Sequence, residues 1–175
     1  MDNSVEEDYE TMENYNRFFN MFNFNLSMLL NRLVKIRKIN PLDSNNEVEW
    51  FTYFDCIITQ LRAMFIENER YKNNYTYQNF LTLYGKNDIV TKINNFLETP
   101  FIDESTLDSK GEILSIKNAI KFIADKFICH YENTSLEELA RQELISNTLS
   151  NLSNNSTNNL DVILTRIFTM IEFRK

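Results

Sequence analysis

Acid–base chemistry in this sequence depends on its one histidine, His130. Imidazole is the side chain whose ordinary pKa lies closest to neutrality, so His130 is the candidate general acid or base. On a helical wheel, His130 falls at the edge of an apolar stripe and beside Lys126. A histidine at that position can equally be structural, because it packs at the rim of a core and the negative end of the helix dipole stabilises it. The residues alone leave both interpretations open.

The residues needed for metal, cysteine or phosphate-loop chemistry are scarce or badly spaced. A zinc site needs about four ligands at close spacing, and the two cysteines, Cys56 and Cys129, are isolated. Cys129 is adjacent to His130, but neighbouring residues on a helix do not face each other. The two glycines also stand alone, which excludes the glycine-rich loops that hold phosphates and dinucleotides. We therefore expect no metal ion and no cofactor.

Basic residues occur in two groups in a chain of net charge −7. A net negative charge argues against broad nucleic-acid binding, which relies on clustered lysines and arginines. Most charged runs are solvated helix faces, but a local basic groove at either group is a hypothesis to keep. The group near His130 is Lys117, Lys121 and Lys126, with Asp125 beside it. The other group is Arg17, Arg32, Lys35, Arg37 and Lys38.

Acidic residues are numerous, yet their positions at helix starts and in connecting segments do not indicate a paired-carboxylate mechanism. Arg62 shares a polar edge with Asp55, Thr59 and Glu69, which predicts an ion pair within its helix or with a neighbouring one. Residues 1–16 contain six acidic and no basic side chains, unlike a secretory or transit peptide. We expect them to form an acidic arm or the start of the first helix. The two isolated cysteines suit a reducing compartment, and no apolar run reaches about 18 residues, so we expect a cytoplasmic protein that does not enter a membrane.

Apolar residues recur every three or four positions through most of the chain, which indicates amphipathic helices. The shortage of glycine and proline argues against an all-β fold, which needs frequent turns. No internal repeat or long linker divides the sequence. We predict an all-α, single-domain helical bundle of about five to seven helices over residues 17–175. The predicted helices cover about 18–39, 46–69, 76–85, 87–98, 113–127, 135–151 and 160–175.

Local signals mark several helix ends. Thr76 is a candidate N-cap, and Gly85 suits the left-handed residue that often follows a helix. Ser135 and Glu138 fit a capping box at the start of the sixth helix. The inward face of that helix is predicted from the apolar residues that follow, namely Leu136, Leu139, Ala140 and Leu144.

One segment goes beyond a generic helix. Residues 121–132 read KFIADKFICHYE, and they resemble the signature helix of HEPN-superfamily proteins of the abortive-infection type. That signature is an arginine, often followed by Asp-Lys, and then a histidine that follows a small residue. Asp125, Lys126 and His130 match it, and Cys129 takes the small position.

The segment departs from that signature at Ala124, which stands where the arginine is expected. The aromatic residues at 50–67 and 75–81 are also similar to those of such proteins. The likeness therefore covers residues 46–132.

The resemblance implies a helical bundle that dimerises and, in active members, cleaves RNA without a metal at a site formed across the dimer. There the arginine and histidine bind the scissile phosphate and support attack by the 2′-hydroxyl of the RNA, and His130 is carried over as that histidine. Phosphate transition states need fixed positive charge, so Ala124 implies a degenerate site unless Lys126 or Arg62 supplies the cation. Contacts with RNA or a protein partner are expected at Arg62, Lys117, Lys121 and Asp125.

Three hypotheses on function follow. The leading one is a HEPN-like protein of microbial defence or toxin–antitoxin type, dimeric, that binds protein or RNA through a degenerate ribonuclease site. The second is an acidic inhibitor or antitoxin, whose residues 1–13 or 103–112 occupy the basic channel of a nucleic-acid enzyme. The third is a weak metal-independent ribonuclease that uses His130 and a displaced cation.

Overall fold

The architecture is helical throughout the part of the chain that can be described. The computed structural model describes residues 3–40, 43, 45–67, 76–101, 114–125, 135–151 and 158–171. These residues form seven α-helices and a π-helix and no β-strand, so the prediction of an all-α bundle is confirmed. The α-helices are α1 (Asn3–Ile36), α2 (Glu47–Leu61), α3 (Tyr77–Leu83), α4 (Asn87–Leu97), α5 (Ile116–Ile123), α6 (Leu136–Ser150) and α7 (Leu160–Ile171), and the π-helix Arg62–Ile66 directly follows α2.

The first helix is much longer than its apolar repeat indicated. α1 begins at Asn3 rather than near residue 18, and its 34 residues extend for about 50 Å. The repeat itself marks the core face, because Phe22, Leu29 and Leu33 are buried against the rest of the bundle. Polar side chains also join α1 to α2. The Gln60 amide accepts a hydrogen bond from Arg32 Nη1 at 2.6 Å and donates one to the Asn25 carbonyl at 2.7 Å.

The second helix ends earlier than predicted, and by an unexpected geometry. Regular α-helix stops at Leu61 and one π-helical segment carries the chain to Ile66. Glu67 is then extended, with φ −69° and ψ 132°, so the predicted continuation to residue 69 is wrong. Burial of Met64, Phe65 and Ile66 keeps this segment against the core.

The predicted caps are confirmed. The Thr76 hydroxyl accepts a hydrogen bond from the Asn79 N–H at 3.2 Å, and Gly85 after α3 has a positive φ of 66°. Ser135 and Glu138 form the full capping box of α6. These features depend on short-range contacts, which is why the local sequence is enough to predict them.

A pair of backbone hydrogen bonds joins the end of α4 to the start of α5. The Phe101 N–H donates to the Leu114 carbonyl at 2.8 Å, and the Ile116 N–H donates to the Thr99 carbonyl at 3.0 Å. We call this pairing the backbone clasp. Ser115 within it also caps α5, because its hydroxyl accepts from the Asn118 N–H.

The predicted inward face of α6 is wrong. Leu136 is 86% exposed, Leu139 and Leu144 are each more than 40% exposed, and Ala140 is also at the surface. The helix instead buries Gln142, Ile145 and Leu149. α6 has apolar residues on two faces, so its sequence alone does not decide which face is buried. Ile145 and Leu149 are the residues that fill the space left by α5 and the rest of the core. The leucines form a stripe on the opposite side.

The last helix follows its prediction. α7 buries Leu160, Leu164, Ile167 and Ile171, which were spaced for a core face. The Asn159 side chain caps it by accepting from the Val162 N–H at 2.8 Å. Across the described residues, no helix combines the length and apolar character needed to cross a membrane.

Candidate functional site

The HEPN-like segment can be followed to Asp125, in the last described turn after α5. Ala124 and Asp125 continue from α5 in π-helical geometry, and the π-helix Arg62–Ile66 packs beside α5. In that π-helix, the Glu67 N–H donates to the Arg62 carbonyl at 2.8 Å, a bond that spans five residues. π-helical turns are rare and often occur at functional sites. The candidate site therefore lies where two such turns meet.

Arg62 is held at this junction by carboxylates. Its Nη1 atom lies 2.5 Å from Asp125 Oδ1, and its Nη2 atom lies 4.0 Å from Glu67 Oε1. The Arg62 side chain is 24% exposed and that of Asp125 is 32% exposed, so solvent only partly screens their ion pair. The ion pair predicted for Arg62 is present, and of the two alternatives it is the one between helices, with Asp125 after α5 as the partner. Glu69 lies outside the described residues.

Ala124 is part of the hydrophobic core, with 1% of its surface exposed. This is the position where the HEPN-like signature has arginine. A long cationic side chain at this position would point into packed apolar side chains, where an unpaired charge is costly. Arg62 is a cation that reaches Asp125, the residue after Ala124, from the neighbouring helix.

A second arginine reaches the same part of the chain from α6. The Arg141 guanidinium lies over the Phe122 ring at 5.7 Å from its centroid. Two of its nitrogens, Nε and Nη2, are buried and have no hydrogen-bond partner among the described residues. Phe122 of α5 and Asp125 just after it are three positions apart, so the residues contacted by Arg141 and Arg62 are surface neighbours. Sequence analysis missed Arg141, because only the packing of α6 on α5 brings it to this position.

Asp55 lies two helical turns before Arg62 but is not paired with it. Its Oδ1 atom is buried and has no hydrogen-bond partner in the part of the chain that the structure describes. Desolvation by burial raises the pKa of Asp55 above its ordinary value of 3.8. A carboxyl group in this state holds its proton to higher pH than a surface aspartate does.

The remaining predicted site residues do not gather at one point. Lys117 is paired with Glu98, with 3.0 Å between Nζ and Oε1, and this pair lies at the start of α5. Lys121 is exposed and has no ion pair among the residues that the structure describes. Lys126 and His130 lie outside the described residues. Where the two candidate catalytic residues lie relative to Arg62 therefore stays a prediction.

The basic group on α1 is partly used within the fold. Arg37 forms an ion pair with Asp161 of α7, and Arg32 binds the Gln60 amide. Arg17, Lys35 and Lys38 are exposed. This group therefore does not form one continuous surface of free cations.

The chain matches no protein-family model, no curated protein and no solved structure. In the described part of the chain, no three His, Cys, Asp or Glu side chains are close enough together to hold a metal ion. The candidate site therefore consists of Arg62 paired with Asp125, and of Arg141 stacked on Phe122 one turn away.

Proposed function

We propose that the chain is a cytoplasmic, HEPN-like protein of microbial defence or toxin–antitoxin type that acts by binding and not by cleaving RNA. The observation that carries this proposal is the pairing of Arg62 with Asp125 beside the buried Ala124. Alanine stands at the position where the resemblance implies a catalytic arginine, and Arg62, which reaches the next residue, is paired with a carboxylate.

Electrostatics supports binding over cleavage. A phosphoryl transition state needs positive charge directed at the oxygens where negative charge develops. Arg62 donates instead to Asp125, and that carboxylate would also repel a phosphate brought to the same place. Arg141 is a second cation at this turn of α5, and two of its nitrogens are buried.

The partner that we propose is first of all a second copy of the chain. The outward stripe of α6 has the order Leu136, Ala140, Leu144, which reads the same in both directions about Ala140. In an antiparallel pair related by a two-fold axis, Leu136 of one copy would pack on Leu144 of the other, and the small Ala140 would allow close approach. Exposed apolar surface of this kind commonly marks a protein contact.

Two measurements test the proposed function. The first is cleavage of single-stranded RNA in EDTA by the wild-type chain, with His130→Ala as the control. We expect no cleavage that depends on His130, and loss of an RNase activity in the His130→Ala variant would contradict the proposal in favour of a metal-independent ribonuclease. RNA binding is followed in the same samples by fluorescence anisotropy.

The second measurement is molar mass by sedimentation equilibrium. The wild-type chain is expected to be a dimer, and Leu136→Glu with Leu144→Glu to be monomeric. Val48→Glu is the matched control, because Val48 is 79% exposed but lies on α2. A wild-type monomer, or a dimer unaffected by the α6 substitutions, would contradict the proposed interface. Phage plaque counts on bacteria that express each variant then test whether defence depends on the dimer.

A further inference from the structure

A half-open cleft lies between α1, α3, the start of α4 and the end of α7, away from the residues proposed above to act in binding. Its volume is about 810 Å³. We call it the aromatic cleft, because its floor is formed by the rings of Phe22, Tyr77 and Phe80. Cavities of 300 to about 1,000 Å³ with mostly apolar walls are the usual size of small-molecule sites.

The floor of the aromatic cleft is a packed set of rings. The Phe22 ring lies 5.3 Å from that of Tyr77 and 5.1 Å from that of Phe80, centroid to centroid. Phe22, Tyr77 and Phe80 are buried, so the floor is held in place by the core. Burial raises the pKa of Tyr77 to about 12, and its hydroxyl is therefore neutral at physiological pH. The floor offers apolar contact without charge.

The walls leave apolar surface that other side chains of the described residues do not fill. Leu26 of α1, Ile89 of α4 and Met170 of α7 are only partly buried and line the cleft. The α1 residues on the cleft run from Phe19 to Leu26, a length of about 10 Å. This length suits a medium-length hydrocarbon chain or a short aromatic acid.

The rim of the aromatic cleft is positively charged, although the chain as a whole is acidic. Lys86, Lys92 and Arg166 are exposed on the rim, and Asp88 is the one carboxylate among the described residues that line it. Asp88 faces Lys92, with 3.9 Å between Oδ2 and Nζ, and so neutralises part of one cation. An apolar floor with a net positive rim is complementary to a ligand with an apolar body and an anionic end.

We propose that the aromatic cleft binds a small amphiphilic carboxylate, with its hydrocarbon part on the rings of the floor and its carboxylate at Lys86 and Lys92. The apolar floor supplies most of the affinity, because burying hydrocarbon is the dominant favourable term. The rim selects the head group. This site is separate from the α6 stripe and from Arg62, and it does not depend on the function proposed above.

Isothermal titration calorimetry with three probes of equal chain length tests the proposal. Decanoate is the anion, decanol is neutral and decyltrimethylammonium is a cation, all used below the concentration at which they form micelles. We expect one decanoate molecule to bind per chain, at least about tenfold more tightly than the cationic probe. The two rim lysines attract the carboxylate and repel the trimethylammonium group. Equal affinity for all three probes, or many molecules bound per chain, would overturn the proposal.

Variants then locate the binding. Lys86→Gln with Lys92→Gln is expected to weaken decanoate binding about tenfold and to leave decanol unchanged, as removal of rim charge requires. Lys35→Gln is the matched control, because Lys35 is an exposed lysine on α1 outside the cleft.

Met170→Trp fills the cleft and should abolish binding of all the apolar probes. If Met170→Trp does not fold, Asn23→Trp serves instead, because Asn23 is an exposed residue on the cleft wall. Unchanged binding in a folded filling variant would place the ligand elsewhere. If the chain self-associates in sedimentation runs and the associated form no longer binds decanoate, a second copy occupies the cleft. That result would also overturn the proposal.

Discussion

Arg62 on the π-helix and Asp125 after α5 form an ion pair with 2.5 Å between Nη1 and Oδ1. The pair links the π-helix to the turn after α5, next to the buried Ala124. Its partial burial sets it apart from the other ion pair of α5, between Lys117 and Glu98, whose side chains are 39% and 54% exposed. The Lys117–Glu98 pair is therefore a more exposed control for the Arg62–Asp125 pair.

We expect Arg62→Gln and Asp125→Asn each to lower the free energy of unfolding by about 1 kcal/mol, because each leaves a partly buried partner without its counter-charge. A double-mutant cycle measured by urea denaturation should give a coupling energy of about 1 kcal/mol. The same cycle on Lys117→Gln and Glu98→Gln should give less than about 0.5 kcal/mol. Equal coupling in the two cycles would mean that burial of the Arg62 pair has no energetic consequence.

Asp55 makes stability depend on pH in a direction opposite to that of most carboxylates. Its pKa in the folded chain is raised above 3.8 by desolvation, so the contribution of its neutral form is complete below that pH. The contribution is lost as the pH rises through the folded-state pKa. Asp55→Asn should therefore raise the melting temperature at pH 7 and have no effect below about pH 3.8. Thermal melts across this range check the trend.

Glu143→Gln is the control for Asp55, because Glu143 is an exposed carboxylate on α6. Its melting temperature should follow the wild-type curve at every pH. A stabilisation by Asp55→Asn that persists at acid pH would show that the amide gains a new contact, and that desolvation is not the cause.

Arg141 offers a test of what a stacked but incompletely hydrogen-bonded guanidinium contributes. Its buried Nε and Nη2 have no partner within the described ranges, so replacement by Met should leave the stability unchanged or raise it by about 1 kcal/mol. Arg141→Ala removes the contact with Phe122 as well and should destabilise by about 1 kcal/mol. Both are measured by urea denaturation. A large loss in Arg141→Met would indicate that the positive charge itself stabilises this turn of α5.

The orientation of α6 can be checked by truncating one residue on each of its apolar faces. Ile145→Ala should cost about 2 to 5 kcal/mol, because Ile145 is fully buried. Leu136→Ala should cost less than about 0.5 kcal/mol in the monomer, because Leu136 is 86% exposed. Chemical denaturation at low protein concentration separates this effect from dimerisation. The reverse order would restore the face that the sequence indicated.

The buried face of α6 could not be predicted from the sequence, whereas helix caps could. Thr76, Gly85 and Ser135 were predicted correctly because caps depend on contacts within four residues. The core face of α7 was equally clear, since its apolar residues occupy one side. On α6 both sides are apolar, and only the shape of the remaining core selects Ile145 over Leu136.

The candidate site was harder to predict than the fold. An ion pair was expected for Arg62, but its partner Asp125 is 63 positions away in the sequence, and no local pattern relates them. The π-helix that carries Arg62 has no propensity signal of its own. Nothing in the sequence predicts the contact of Arg141 with Phe122 either, because a cation on a mixed helix surface is expected to face solvent. These contacts depend on how the helices pack, which the spacing of residues does not give.

The backbone clasp holds the end of α4 against the start of α5 through main-chain atoms alone. Its two donors are the N–H groups of Phe101 and Ile116. Proline has no backbone N–H, so a proline at either position would remove one of the two hydrogen bonds whatever its side chain contacts. At the level of the backbone, the join between α4 and α5 is therefore indifferent to most residue types and sensitive to one.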